Sequence, residues 1–198
     1  VKGGLRVGLR LGGGLRFDQL DMDRLCLHLC GPDDVAFRLH ELALGTPMGS
    51  LVVHGQTQSL SSADSLTPVG FGADQAMLPE GMRVFSGHRL LQEMSGLPQR
   101  LLFVEVGDLK RRLAGCASSE VEIVLLFGRG DASLEAVVDA GNVALFATPA
   151  VNLFPKRLGR VALGPGEWEH HLVADRTRPM DFEVHSVLSV TGHGPEGT

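Results

Sequence analysis

Apolar and polar or small residues alternate along Leu5-Arg6-Val7-Gly8-Leu9-Arg10-Leu11, the two-residue period of a half-buried strand, and Gly12-Gly13-Gly14 ends it. Arg24 to Cys30, RLCLHLC, alternates in the same way. Gly31-Pro32-Asp33-Asp34 then supplies a proline suited to a first helical turn and two acids suited to the positive end of a helix dipole. Val35, Leu39 and Leu42 follow at helical spacing, Gly45 stops that helix, and GSLVVHG (49–55) returns as a strand.

Residues 56–69, QTQSLSSADSLTPV, are polar, serine-rich and aperiodic, which predicts a linker or mobile loop. Beyond them SGHRLLQEMSGLP predicts a helix with Ser86 as N-cap, with Leu90, Leu91 and Met94 on one face, and with Gly96 and Pro98 as stop signals. LLFVEV (101–106) and VEIVLLF (121–127) read as strands apolar on both faces, with a short basic helix from Asp108 to Leu113 between them. Further short strands are expected at GNVALFA (141–147), GRVAL (159–163), EWEHHLVA (167–174) and DFEVHSVLSV (181–190). Strands outnumber helices without strict alternation, and no repeat of fixed period is present. The fold class is therefore α+β, β-rich, with mixed or antiparallel sheets and a few short helices. The expected organisation is a strand-helix-strand subdomain over 1–55, a linker or loop over 56–80 and a β-rich subdomain over 81–198, with one continuous domain as the alternative.

FATPAVNLFPKR (146–157) breaks this rhythm. Pro149 and Pro155 bracket Ala150, Val151, Leu153 and Phe154, so neither a long helix nor a central strand runs through them. An irregular segment this apolar is expected to be buried against the domain core rather than held open for a partner, with Asn152 tying exposed backbone groups.

Composition narrows the classes. The 198 residues are 43% hydrophobic and 21% charged, enough apolar material for a real core. A net charge of -5 gives no electrostatic reason to bind nucleic acid. No window approaches the ~20 apolar residues of a membrane helix, and the N-terminal VKGGLRVGLRLGGG lacks the apolar core of a signal peptide. The expected location is the cytoplasm, where the odd set Cys26, Cys30 and Cys116 stays reduced. The start at Val1 and the ending GHGPEGT (192–198) read as the ends of a piece of a longer chain.

Candidate chemistry is sparse. Cys26, His28 and Cys30 are zinc-ligand types, but on a strand Cys26 and Cys30 lie ~13 Å apart, whereas sulfurs on one tetrahedral ion lie within ~4 Å. His170 and His171 are adjacent and point to opposite strand faces. The glycine clusters lack a phosphate-loop or dinucleotide fingerprint, and no Gly-x-Ser-x-Gly nucleophile elbow is present. No catalytic, cofactor-binding or metal-binding residues are assigned, and no cofactor is expected. Asp175, Arg176, Arg178 and Asp181 cluster around Pro179, either as a solvated turn or as a pairing across an interface.

Four segments, in order, resemble the type VI secretion baseplate subunit TssF, the ImpG or VasA family: FSGHRLLQEMSGLPQRLLFVEV, VEIVLLF, LFATPAVNLFPKR and VADRTRPMDFEVHSVLSVTG. The family-like runs fall at Gly87–Glu93, Thr148–Phe154, Asp175–Asp181 and Val190–Gly192, so the likeness covers most of Phe85–Gly192. The segment RLCLHLCGPDDVAFRLHELALG resembles the family less distinctively. His88, Phe182 and His185 stand where the resembled family usually has tyrosines, and the chain has no tyrosine at all, so the resemblance carries over no hydroxyl contact at those positions.

The resemblance implies an internal fragment of a structural wedge component of the cytoplasmic baseplate, similar to wedge proteins of contractile phage tails. It implies a scaffold between spike hub and contractile sheath rather than an enzyme. The implied partners are TssG, the adaptor TssK and other baseplate or hub subunits, with a second copy of the chain as a further candidate. A rival reading is a hydrolase pairing His170 or His185 with Asp175 or Asp181. A carbohydrate-binding β-sandwich would want exposed aromatics, and one tryptophan with no tyrosine serves it poorly.

Overall fold

The computed structural model describes residues 1–78 and 85–194, with the side chain of Ser86 left aside. The last two residues of the expected 56–80 loop and most of the Gly/Pro ending lie outside the described residues. By internal contacts the chain groups into Val1–Ala150 and Val151–Thr198.

The larger unit holds two four-stranded antiparallel sheets. In the first the order is β1 (Gly3–Arg10), β7 (Glu120–Phe127), β3 (Pro47–His54) and β4 (Thr57–Ser61). In the second it is β5 (Leu66–Val69), β6 (Phe103–Val106), β2 (Leu25–Leu29) and β8 (Val143–Ala144). β7 lies between β1 and β3 and buries Val121, Ile123, Leu125 and Phe127 on its inner face, while its outer residues are half covered. Each such side chain contributes roughly 1.5–3 kcal/mol relative to exposure. Leu27, Leu29, Val104 and Val106 answer them from the second sheet, and all belong to one hydrophobic cluster. Helix α1 (Asp33–Gly45) packs on both sheets through Val35, Ala36, Leu39, Leu42 and Ala43, its apolar positions at helical spacing.

β1, β2, α1, β3, β6 and β7 stand where the alternation and the Gly/Pro punctuation put them. The stretch 56–69 does not behave as a linker: it forms β4, a 3-10 turn at Ala63–Ser65, and β5. Gly55, at φ +56°, turns β3 back into β4, and the register Val52↔Ser59 and Leu51↔Leu60 gives this polar segment its ladder. Gly49 is needed at φ +130°, because a Cβ there would lie 2.1 Å from the Ser61 carbonyl oxygen.

Helix α2 (Ser86–Gly96) starts with Phe85, not Ser86, in the N-cap position. It buries a different face from the expected one: Arg89 and Glu93 are inside, while Leu91 and Met94 are exposed. The basic helix shrinks to α3 (Leu109–Arg112), entered through Asp108 in the left-handed region. Arg112 turns inward beneath it. Its Nη1 donates to the Ser50 carbonyl and hydroxyl, both at 3.0 Å, Nη2 to the Gly107 carbonyl at 2.7 Å, and Nε to the Asp108 carbonyl at 2.9 Å. The guanidinium thus joins β3 of the first sheet to the turn after β6 of the second. A last short helix, α4 (Ala132–Glu135), is capped by the Asp131 side chain.

The strands expected from 141 onward shrink to β8, two residues long. Residues 159–163, 167–174 and 181–190 form no strand in the structure. Their alternation prepares a sheet face, but a strand also needs a neighbour to complete its hydrogen bonds, and the described residues provide none. Among those residues no helix is long and apolar enough to cross a membrane.

Candidate interaction surface

Within Val151–Thr198 the two most family-like motifs meet around one aromatic ring. The prolines at 149 and 155 hold the first motif extended, and its chain is pinched by the Leu153 N–H donating to the Val151 carbonyl at 3.0 Å. Asn152 is exposed, so the main chain rather than that side chain closes the turn. Phe154 then packs edge-to-face on Phe182, centroids 5.8 Å apart at 77°. Lys156 Nζ lies 4.6 Å from the Phe182 centroid and 3.0 Å from Asp175 Oδ2. The Arg178 guanidinium carbon is 5.3 Å from the same centroid. Edge-to-face pairs are worth about 0.5–1.5 kcal/mol and exposed cation–π contacts about 0.5–1 kcal/mol, enough to bias this arrangement.

Asp175 organises the second motif. It accepts from the Thr177 hydroxyl at 2.6 Å and the Thr177 N–H at 3.0 Å, and Arg178 N–H returns to the Asp175 carbonyl at 3.2 Å. The Thr177 hydroxyl, then Lys156, hold its carboxyl well below the usual carboxylate range. Arg178 and Asp181 face each other across the following turn at 3.6 Å and are largely solvated. Lys156 and Arg178 meet the face of the Phe182 ring, so these contacts need no hydroxyl.

The apolar side chains beside this cluster are open. Leu153 is 57% exposed and Phe154 53%, which overturns the expectation that the segment is buried; Trp168 and Met180 are more than 90% exposed. The physical reason is that two prolines and short polar turns leave the segment no sheet or helix against which to close. At the end of the larger unit Phe146 is 97% exposed and sits at φ +57°. A bulky residue in that region is strained by about 1–2 kcal/mol.

The third motif, Gly87–Glu93, is positional. Glu93 accepts from the N–H groups of Met77 and Leu78, both at 3.0 Å, and from Arg89 Nη1 at 3.1 Å, and it pairs with Arg100. Arg100 Nη2 in turn donates to the Gln75 carbonyl at 2.8 Å. Burial pushes the Glu93 carboxyl up, and the Leu78 N–H, Arg89, Arg100 and the Met77 N–H more than offset it, so the net shift is downward. This buried charge cluster ties residues 75–78 to α2. A hydrophobicity pattern passes over it; the available signal was Arg89 and Glu93 at i,i+4 with Arg100 beyond.

The remaining candidates are scattered. Cys26 pairs in register with Glu105, His28 stacks on Phe103 with centroids 4.3 Å apart, and Cys30 Sγ faces the Gly141 carbonyl at 3.2 Å. Among the described residues no three His, Cys, Asp or Glu side chains are placed to hold a metal. His170 lies 3.8 Å from Glu167, His185 is exposed, and Asp175 and Asp181 face Lys156 and Arg178, so the hydrolase pairing is not assembled. A cleft of ≈ 350 Å³ in the larger unit is lined by Asp23, Arg24, Asp64, Glu105 and Asp108 with three serines. It lacks the apolar walls of a small-molecule site.

The comparisons with known proteins bear on the family to which these motifs belong. The chain is 46% identical over 197 residues to the type VI secretion system component TssF1 of Pseudomonas aeruginosa, covering 98% of this chain and 32% of that protein. Its fold matches a chain in the cryo-electron microscopy structure of the type VI secretion system TssK-TssF-TssG baseplate subcomplex with a TM-score of 0.66 at 22% identity, over 98% of this chain and 37% of the other. The chain therefore spans about a third of the length of these relatives. The family profile described as type VI secretion system, TssF matches residues 1–198 without a break, and by that match, together with the motifs gathered at Phe182 and Glu93, the chain belongs to the TssF family.

Proposed function

We propose that this chain is a section of a baseplate wedge protein of a type VI secretion system, a non-enzymatic scaffold between spike hub and contractile sheath. It works on the cytoplasmic side, with partners resembling TssG and TssK. Family membership supports the assignment, as does the likeness in fold to a chain of the TssK-TssF-TssG subcomplex. The observation that carries it is the set of exposed apolar side chains beside a fixed charge cluster: Leu153, Phe154 and Met180 around Lys156, Asp175 and Arg178. Clusters of large exposed apolar groups rimmed by charges mark protein-binding surfaces.

The test is Phe154→Ala in the full-length parent and in this chain. With half of the ring already in water and one aromatic neighbour, the chain's unfolding free energy falls by under about 1.5 kcal/mol. Co-purification with TssG and TssK falls by roughly 30-fold, the scale of an interface anchor worth about 2 kcal/mol. A large drop in melting temperature with binding intact refutes the interface reading.

A further inference from the structure

β8 stops short of what its sequence prepares. The alternation of GNVALFA predicts a strand as far as Ala147, yet the ladder to β2 consists of Leu29↔Val143 and His28↔Ala144. Phe146 ends it, because its left-handed φ of +57° turns the chain off the sheet. A bulky residue in that region is strained and persists only where its surroundings enforce it. The Phe146 ring, 97% exposed, makes no packing that would hold it there. Beyond it, Thr148 precedes Pro149, which favours extended backbone at Thr148.

The phase of the ladder shows what β2 leaves free. Leu29 N–H donates to the Leu102 carbonyl at 2.8 Å, toward β6, and Cys30 N–H to the Asn142 carbonyl at 3.0 Å, toward β8. Odd residues of β2 therefore bond to β6 and even residues face β8, so the Cys26 N–H and C=O point to the side on which Ala144 is the last partner. Among the described residues no strand stands opposite Cys26 on that side. Continuing the register by three residues sets Leu145 against Leu27, Phe146 against Cys26 and Ala147 against Leu25. The faces agree. Leu145, now 36% exposed, comes level with the fully buried Leu27 on the core side. The Phe146 ring comes to the other side, next to Cys26 and diagonal to His28, which already stacks on Phe103.

We propose that β8 is a strand of two lengths. In the short form Phe146 is left-handed and the chain leaves the sheet after Ala144. In the long form Phe146 is extended, and Leu145, Phe146 and Ala147 zip onto β2. Zipping adds the pair of main-chain hydrogen bonds between Cys26 and Phe146, relieves the strain and covers the ring. It also moves the point at which the chain leaves the sheet by three residues, about 10 Å along β2. The segment that follows is thereby let out or taken in while the strand order stays the same. This device does not depend on the wedge assignment.

Hydrogen exchange resolved to single amides, in this chain and in its full-length parent, compares Phe146→Gly with Phe146→Ile. Glycine accepts the left-handed form freely, and isoleucine resists it and favours the extended one. The strain of a non-glycine residue there corresponds to about 5- to 30-fold in the ratio of the two forms, so the Cys26 amide exchanges more slowly by that factor in the isoleucine variant. The amides of Leu25 and Leu27, bonded to β6, exchange alike in both. In a Cys30→Ser background Phe146→Cys closes an intramolecular disulfide with Cys26 under mild oxidation, since hydrogen-bonded partners lie ~5.5 Å apart between Cα atoms. Ala147→Cys, on the opposite face, does so roughly tenfold more slowly. Equal Cys26 exchange in the glycine and isoleucine variants overturns the proposal, as does a Cys26 amide that is protected in the parent whatever residue stands at 146. So does a cysteine at 147 that cross-links as fast as one at 146. A parallel change at Leu25 and Leu27 overturns it too, because the sheet as a whole has then loosened.

Discussion

Replacing Arg112 by methionine keeps the buried stem and removes the guanidinium. The structure sets the cost. The Ser50 carbonyl loses a charged donor at 3.0 Å in a buried site, and the Gly107 carbonyl loses one at 2.7 Å in a partly buried one. The Ser50 hydroxyl retains its contact with the Ser65 hydroxyl at 3.0 Å and is not stranded. The Asp108 carbonyl, also partly buried, loses only the single Nε donor at 2.9 Å. One buried and one partly buried acceptor losing a partner at roughly 1–3 kcal/mol each give at most about 2–6 kcal/mol, partly reduced because a desolvated charge is removed as well. That desolvation is visible in the group itself: burial pushes the Arg112 guanidinium down and the Asp108 carboxylate pushes it back. A central value of about 4 kcal/mol lowers the melting temperature by roughly 8–16 °C for a chain of this size. Arg112→Lys falls in between, since one ammonium cannot reach the Ser50 and Gly107 carbonyls in a fork. Thermal and urea unfolding of the three proteins measure it. A methionine variant within about 1 kcal/mol of wild type refutes the reasoning, by showing that desolvation cancels the four hydrogen bonds.

Two further outcomes are expected. Glu93 has a folded pKa below its unfolded value, so its contribution to stability is complete above the unfolded value of about 4.3 and is lost as pH falls through the lowered folded value; Glu93→Gln flattens the stability-versus-pH curve below about pH 5, and an unchanged acid slope contradicts the role given to this cluster. Phe146→Gly relieves a left-handed strain of about 1–2 kcal/mol against an unfolded-state penalty of about 0.5–1 kcal/mol, so urea unfolding shows a gain of up to about 1.5 kcal/mol; a loss of more than about 1 kcal/mol means the ring packs against the chain in solution.

The central strands and α1 were legible because hydrophobicity alone positions them: Val121, Ile123, Leu125 and Phe127 face one core at a period of two, and Val35, Leu39 and Leu42 face it at helical spacing. β4 was illegible for the opposite reason. Thr57, Gln58 and Ser59 sit in an edge strand whose stabilisation is the main-chain ladder to β3, and side-chain polarity carries no trace of that. The inward face of α2 was misread because Arg89 and Glu93 are buried against hydrogen-bond donors supplied by residues 77 and 78, which no local pattern announces. In 159–190 the alternation was real and the strands were absent, since periodicity reports the faces of a strand and not the presence of its neighbour. The motifs of the interaction surface were readable one by one. Their meeting, Phe154 on Phe182 and Lys156 on Asp175, depends on turns that sequence spacing does not encode.

The pairing of β1 with β7 also imposes an order on biosynthesis. Arg10 cannot find Glu120, nor Gly3 its Phe127, until some 110 to 125 further residues have been translated, and at about 5–20 residues per second that interval is roughly 5–25 s. For that time β1 waits on the nascent chain without its β7 partner, and β2 waits similarly for Phe103 and the residues after it. Synthesis speed between Leu11 and Glu120, and chaperone occupancy of Leu5-Arg6-Val7-Gly8-Leu9, therefore bear on how much of the chain reaches the folded state.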